Sequence, residues 1–332
     1  MQTREPLAAG RGLDIGTSRI VLAEPNGVGF SYRAQLNAFV ALPASKITEG
    51  MLQKESIPYK TAGRELVVLG DRAEKLAHIF CGDTRRPMQN GLLNPSEHKS
   101  LEVIEETILR LCNGREGGRI FFSVPSAAPG GEGDLAFHET TLQELLTRLG
   151  FQARSINEGL AVVFAELEAN NFTGIGVSFG GGMCNVCLAY LGMPVISFST
   201  SKAGDFIDRS AAAVTGEKPT AIRLLKEGGF GLNGHTSNNI EQALTIYYDD
   251  MIQTVVARLE NSLAESRKVP KLEKPVPIVV AGGSAMLSGF LPRLEKAIRQ
   301  ANLPLAISEI RLAADPLNTT AKGALMAALL DS

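Results

Sequence analysis

Apolar residues near the N-terminus fall in two short runs, Leu13 and Ile15, then Ile20, Val21 and Leu22, with Gly16-Thr17-Ser18 between them. Short apolar runs bounded by turn residues predict two strands joined by a glycine turn. From Ser31 to about Arg86 the pattern is mixed. It gives one clear strand, Leu66-Val67-Val68-Leu69, and a short helix over 71–78. Apolar residues at 101, 104, 108 and 111 share one helix face. Ile120-Phe121-Phe122-Ser123-Val124 reads as a buried strand stopped by Pro125, and residues 139–149 read as a helix ended by Gly150.

The plan then repeats. A helix is predicted over 158–168 and a glycine-rich strand pair over 174–199. The longest helix is predicted over 240–266, with apolar positions at 244, 248, 251, 252, 255, 259 and 263. Residues 268–275 form a charged, proline-broken connector. A buried strand over 277–281 ends in Gly282-Gly283, and an Ala/Leu-rich helix over 320–330 closes the chain. Strand, glycine turn, strand and then helices thus occur twice, which predicts two related α/β halves with a cleft between them.

Composition narrows the class. A chain of 332 residues exceeds what one hydrophobic core usually covers. Net charge is −2, so electrostatics gives no case for nucleic acid as the main partner. No apolar run is long enough to span a bilayer, and the first twelve residues carry Arg4, Glu5 and Arg11 without a signal-type apolar core. With four cysteines, Cys81, Cys112, Cys184 and Cys187, the expectation is a reducing, cytoplasmic setting.

Three glycine turns carry the candidate chemistry. In Leu13-Asp14-Ile15-Gly16-Thr17-Ser18, a tight turn can present backbone N–H groups and two hydroxyls to phosphate oxygens. Asp14 can orient water around Mg²⁺. An ordinary hairpin would read the same way. Val177-Ser178-Phe179-Gly180-Gly181-Gly182-Met183 is a second such turn, costly in chain entropy if it were only a bulge. In Ala281-Gly282-Gly283-Ser284 a buried strand opens into a helix, a terminus suited to phosphate or a base packed on backbone.

Order and spacing give these turns their weight, and the chain resembles the actin-like ATPases. The first turn is similar to the family's D-[IL]-G-T phosphate loop, the second to its D-x-G-G-G-T loop and the third to its adenosine loop. Within the superfamily the resemblance is to MreB and the magnetosome filament protein MamK. It is carried by Gly70-Asp71-Arg72-Ala73, Arg86-Pro87-Met88-Gln89-Asn90-Gly91, Val124-Pro125-Ser126, Gly204-Asp205-Phe206-Ile207-Asp208, Asp315-Pro316 and Gly323-Ala324.

The resemblance implies an α/β actin-like fold with two related domains flanking a nucleotide cleft. The first domain would be 1–157 plus 312–332, with an outer lobe at about 31–84, and the second 158–311. Only residues 232–239 separate the helix near Lys226 from the long helix, so the second outer lobe should be reduced. ATP or ADP with Mg²⁺ is the implied ligand set. Gly16, Thr17, Ser18, Gly180, Gly181 and Gly182 would hold phosphates, with Gly282, Gly283 and Ser284 on adenosine. Lys226 would reach the nucleotide, Asp14 would orient Mg²⁺-bound water, and Glu158 would position the attacking water. A helix-initial Glu favoured by the macrodipole is the alternative for Glu158.

Self-assembly into filaments is implied as well, with cargo or adaptor proteins as further partners and no direct membrane insertion. Three departures stand out: Ser178 replaces the loop's Asp, Met183 its Thr, and Ile222 a ribose-contacting Glu. They imply slow hydrolysis, and leave open a non-hydrolysing scaffold that recruits partners. A sugar kinase would need a catalytic Asp that is not found here. Cys184 and Cys187 form C-x-x-C, but on a strand they should face opposite sides. The four histidines show no ligand spacing. Ser123 and Ser126 lack a triad, and Arg85-Arg86 reads as a solvated pair.

Overall fold

The computed structural model describes residues 10–79, 84–115, 117–127, 132–234, 236–266, 270 and 274–331. Most of the predicted connector over 268–275, together with Cys81 and His235, lies outside the described residues.

The first half opens with β1 (Arg11–Ile15), β2 (Arg19–Asn26) and β3 (Gly29–Leu36). A small lobe follows: β4 (Phe39–Pro43), α1 (Lys46–Lys54), β5 (Tyr59–Ala62), β6 (Glu65–Leu69) and α2 (Asp71–Ile79). The chain returns through the two-residue strands β7 (Met88–Gln89) and β8 (Leu92–Leu93). It then forms α3 (Ser100–Leu111), β9 (Gly118–Val124), α4 (Glu132–Arg148) and β10 (Phe151–Asn157). The second half holds α5 (Glu158–Glu166), β11 (Gly174–Phe179), β12 (Cys184–Tyr190), β13 (Met193–Thr200), α6 (Gly204–Thr215) and α7 (Pro219–Glu227). After them come α8 (Asn239–Glu265), β14 (Val276–Ala281), α9 (Phe290–Gln300), β15 (Ile307–Leu312) and α10 (Thr319–Leu330).

Two five-stranded sheets have the same plan. Their orders are β3-β2-β1-β9-β10 and β13-β12-β11-β14-β15. In each, the first three strands are antiparallel and the last two join in parallel. The lobe β4-β6-β5 is a separate three-stranded sheet on the first half. The second half carries α6 and α7 at the matching place and no third sheet among the described residues, the reduced lobe the sequence implied.

Each half has its own core. Leu13, Ile20, Ile104, Ile108, Phe122 and Leu146 pack in the first, and Val177, Phe179, Tyr248, Ile252, Val280 and Phe290 in the second. Between the sheets lie α5, packed on β11 and β12, and α10, packed on β1 and β9. Their small residues permit backbone contact. A Cβ on Gly323 would lie 1.8 Å from the Ala161 carbonyl oxygen, and one on Gly12 would lie 2.0 Å from that of Ala321. This explains the Ala-rich C-terminal helix, which is buried on most sides.

Several elements differ from the sequence reading. The helix predicted over 139–149 begins at Glu132, because its leading turns are exposed and carry no apolar stripe. The predicted pair over 174–199 is three strands. Leu191 and Gly192, both at positive φ, make a tight hairpin turn without the usual Asn-Gly signal. In the mixed region, β3, β4 and β5 are mostly half-exposed and α1 is mostly exposed, so little periodicity shows. Arg85-Arg86 is not a solvated pair. Arg85 donates twice to Glu97, at 2.8 and 2.6 Å, and stacks over Phe39, while one guanidinium nitrogen of Arg86 is enclosed. Cys184 and Cys187 do face opposite sides, one in the second core and the other against α5.

Candidate functional site

The three glycine turns meet at one cavity of about 680 Å³ between the halves, within the size range of small-molecule sites. The first two turns are equivalent hairpins. Gly16 N–H donates to the Arg19 carbonyl at 2.9 Å, and Gly180 N–H to that of Met183 at 3.0 Å. They touch each other. A Cβ on Gly181 would lie 2.2 Å from Ser18 Oγ, and one on Gly182 2.2 Å from Thr17 Oγ1. Thr17 also accepts the Gly91 N–H at 3.0 Å, which brings in the turn between β7 and β8. The third turn docks on the second: Ser284 Oγ donates to the Gly180 carbonyl at 3.0 Å. Gly282, at φ +93°, lies so close to Phe179 that a Cβ would be 2.3 Å from its carbonyl oxygen.

Two carboxylates share the cavity floor. Asp14, on β1, accepts from Ser123 Oγ at 2.6 Å. Burial raises its carboxyl to about 6, against the pull of that hydrogen bond. Glu158 is the first residue of α5, placed there because Asn157 caps the helix by accepting the Leu160 N–H at 3.1 Å. Burial, then the charge of Asp14, raises Glu158 to about 8, while hydrogen bonds from Ser178 and Asn185 pull it down. Neither carboxyl owes its shift to a nearby Lys or Arg.

At the cavity's other end, α6 and α7 supply Asp205, Asp208, Arg223, Lys226 and Glu227. Lys226 lines the cavity, but its ammonium lies 2.7 Å from Asp208 Oδ1, a pair almost wholly buried. Ile222, in the expected Glu position, belongs to the second core. The partly apolar wall is Phe230, Met286, Leu287, Pro316 and Leu317. Arg223 of α7 pairs with Glu74 of α2, both lining the cavity, and outside it Arg209 of α6 donates to Asn90 at 3.1 Å.

Every residue the sequence singled out for this site, from Asp14 to Ser284, lines this one cavity. The sequence reading missed Asn185, Ser178 as a partner of Glu158, and the pair Arg223–Glu74. Asn185 was within reach, since a four-residue loop after Phe179 sets it opposite Ser178. Among the described residues the histidines form no metal-binding cluster. Of these, His138 is buried, lowered to about 4, and accepts the Leu93 N–H through Nδ1 at 3.1 Å. No group of three or more potential metal-ligating side chains occurs among the described residues.

Twin sheets around such a cleft define an actin-like fold. Solved structures agree over nearly the whole chain. MamK in its double helical filament aligns at TM-score 0.70 and 18% identity, over 97% of this chain and 98% of that one. MreB5 of Spiroplasma citri bound to AMPPNP aligns at 0.68 and 15%, over 96% and 95%. Ethanolamine utilization protein EutJ from Carboxydothermus hydrogenoformans aligns at 0.57 and 13%, over 98% and 91%. Residues 10–328 match the family model described as Volactin, and the chain belongs to the Volactin family. No curated protein matches the sequence.

Proposed function

We propose that the chain is an actin-like cytoskeletal protein that binds ATP or ADP with Mg²⁺ in this cleft, polymerises into filaments and hydrolyses ATP slowly. The observation that carries the reading is the contact of all three glycine turns around one cavity. Backbone without side chains there forms a cradle that phosphate oxygens can enter. Gly16, Thr17, Ser18 and Gly180 to Gly182 hold phosphates, and Gly282, Gly283 and Ser284 seat the adenosine against the partly apolar wall. Asp14 and Glu158 are hard oxygen donors without a basic partner, which suits a cation that keeps several waters. Mg²⁺, when bound, neutralises phosphate charge. Asp14 would orient its waters, and Glu158 would position the water that attacks the terminal phosphate. Lys226, tied to Asp208, lines the cavity where it contacts the nucleotide.

The proposed domain division is 1–157 plus 312–332, with a lobe at about 31–84, against 158–311; two of its bounds cut across sheets, since β3 pairs in the first five-stranded sheet and Leu312 ends β15 of the second. Filament assembly is carried over from the likeness to MamK, solved as a double helical filament. Slow hydrolysis is expected because Ser178 puts a neutral hydroxyl beside Glu158. The test is negative-stain microscopy of purified protein with ATP, with ADP and without nucleotide, alongside phosphate release with and without Mg²⁺. Nucleotide-dependent filaments, and turnover lost in Glu158→Ala, are the expected results. Binding without turnover would favour a scaffold, and no binding would overturn the reading.

A further inference from the structure

Behind Glu158 lies a buried set of amides and hydroxyls that the roles above leave unused. Asn185 is fully buried on β12 and pairs with Ser178 across the hairpin. Its Nδ2 donates to Glu158 Oε2 at 2.9 Å, and its Oδ1 accepts the Ser126 N–H at 2.8 Å. Ser126 belongs to the other half, just beyond β9. Its hydroxyl accepts from Asn157 Nδ2 at 2.5 Å, the same Asn157 that caps the helix beginning with Glu158. Its carbonyl accepts from Ser199 Oγ at 2.8 Å.

A carboxamide has an accepting end and a donating end. A backbone N–H can only donate, so the oxygen of Asn185 must face Ser126 and its NH₂ must face Glu158. The amide therefore has one orientation, set by a residue of the opposite half. Resting on the hydrolytic role proposed for Glu158, we propose that Asn185 is a positioning residue. It fixes one carboxylate oxygen of Glu158 and ties that oxygen's place to the joint between the halves. Misplacement of a group that orients a nucleophile lowers the rate of reaction more than the binding of substrate.

Asn185→Asp is the sharpest test. It keeps an oxygen for Ser126 but sets another against Glu158. Asn185→Ala removes the donor without adding charge, and Ser199→Ala, at the cross-strand neighbour of Asn185, loosens the Ser126 carbonyl while leaving both hydrogen bonds of the Asn185 amide in place. Phosphate release would be measured for each, with the Kd of AMPPNP as the measure of an intact cleft. In both Asn185 variants kcat should fall at least tenfold with KM and Kd within threefold, while Ser199→Ala stays within threefold of wild type. Loss of AMPPNP binding in both Asn185 variants would show a structural role and overturn the proposal. Wild-type turnover in Asn185→Asp, with none in Glu158→Gln, would overturn it and leave the ATPase reading standing. Absence of turnover in wild type, or full turnover in Glu158→Gln, would remove the hydrolytic reading and this proposal with it.

Discussion

Gly182 has no room for a side chain, because Thr17 Oγ1 and the Gly91 N–H occupy the place a Cβ would take. Gly182→Ala should part the first two turns and weaken nucleotide binding at least tenfold by equilibrium titration. Overpacking of this kind costs roughly 1–3 kcal/mol of stability. Glu158 predicts a pH effect of definite sign. Its carboxyl is raised in the folded chain from an ordinary 4.5 to about 8, so the folded state binds the proton more tightly. Stability of the nucleotide-free protein should therefore be greatest at low pH for this group and fall as pH rises from about 4.5 to about 8. Melting temperature at pH 6 should exceed that at pH 8.5, and Glu158→Gln should flatten the difference. At this scale the glycines and carboxylates were legible in the sequence, since few residue types can serve there. Lys226 was legible as a cavity residue but not as the partner of Asp208, a contact that depends on how α6 and α7 lie together. Met183 reads as a lost hydroxyl in sequence, whereas in the fold it packs against Gly91.

Between elements, the contact that bears on access is Arg223 with Glu74, a pair of cavity-lining residues that joins α7 to α2. Arg223 is mostly buried and Glu74 about one-third exposed, so salt reaches the pair only in part. Glu74→Ala should speed release of a fluorescent nucleotide several-fold in stopped-flow chase, and 0.5 M salt should speed wild type toward the same rate. An unchanged rate would mean that the pair does not gate the cleft. Legibility followed burial at this scale. Long helices with an inward stripe, such as α3 and α8, stand out by spacing, and buried strands such as β9 and β14 by apolar content. The half-exposed β3, β4 and β5 carry no such contrast, and the pairing that orders them is long-range.

At the scale of the molecule, the doubled strand order was legible as a repeated motif, and the two sheets realise it with the same sequence of parallel and antiparallel joins. What the sequence could not give is the distance between halves, since no local pattern records which surfaces meet. A ligand bridging them should stabilise the whole chain. Under the nucleotide reading, AMPPNP at a hundred times its Kd adds about 2.7 kcal/mol, visible as a rise in melting temperature that the tenfold weaker binding of Gly182→Ala cuts to about 1.4 kcal/mol or less at the same concentration. The backbone contact of Gly323 with Ala161 has a mechanical consequence. Two helices in backbone contact at one point, flanked by the small side chains of Ala161, Ala324 and Ala328, form a close-set fulcrum. Leverage then grows with distance from that axle. A tilt about it would be resisted at one place by the Glu74–Arg223 pair and at another by the Ser126–Asn185 hydrogen bond, since each joins the two halves.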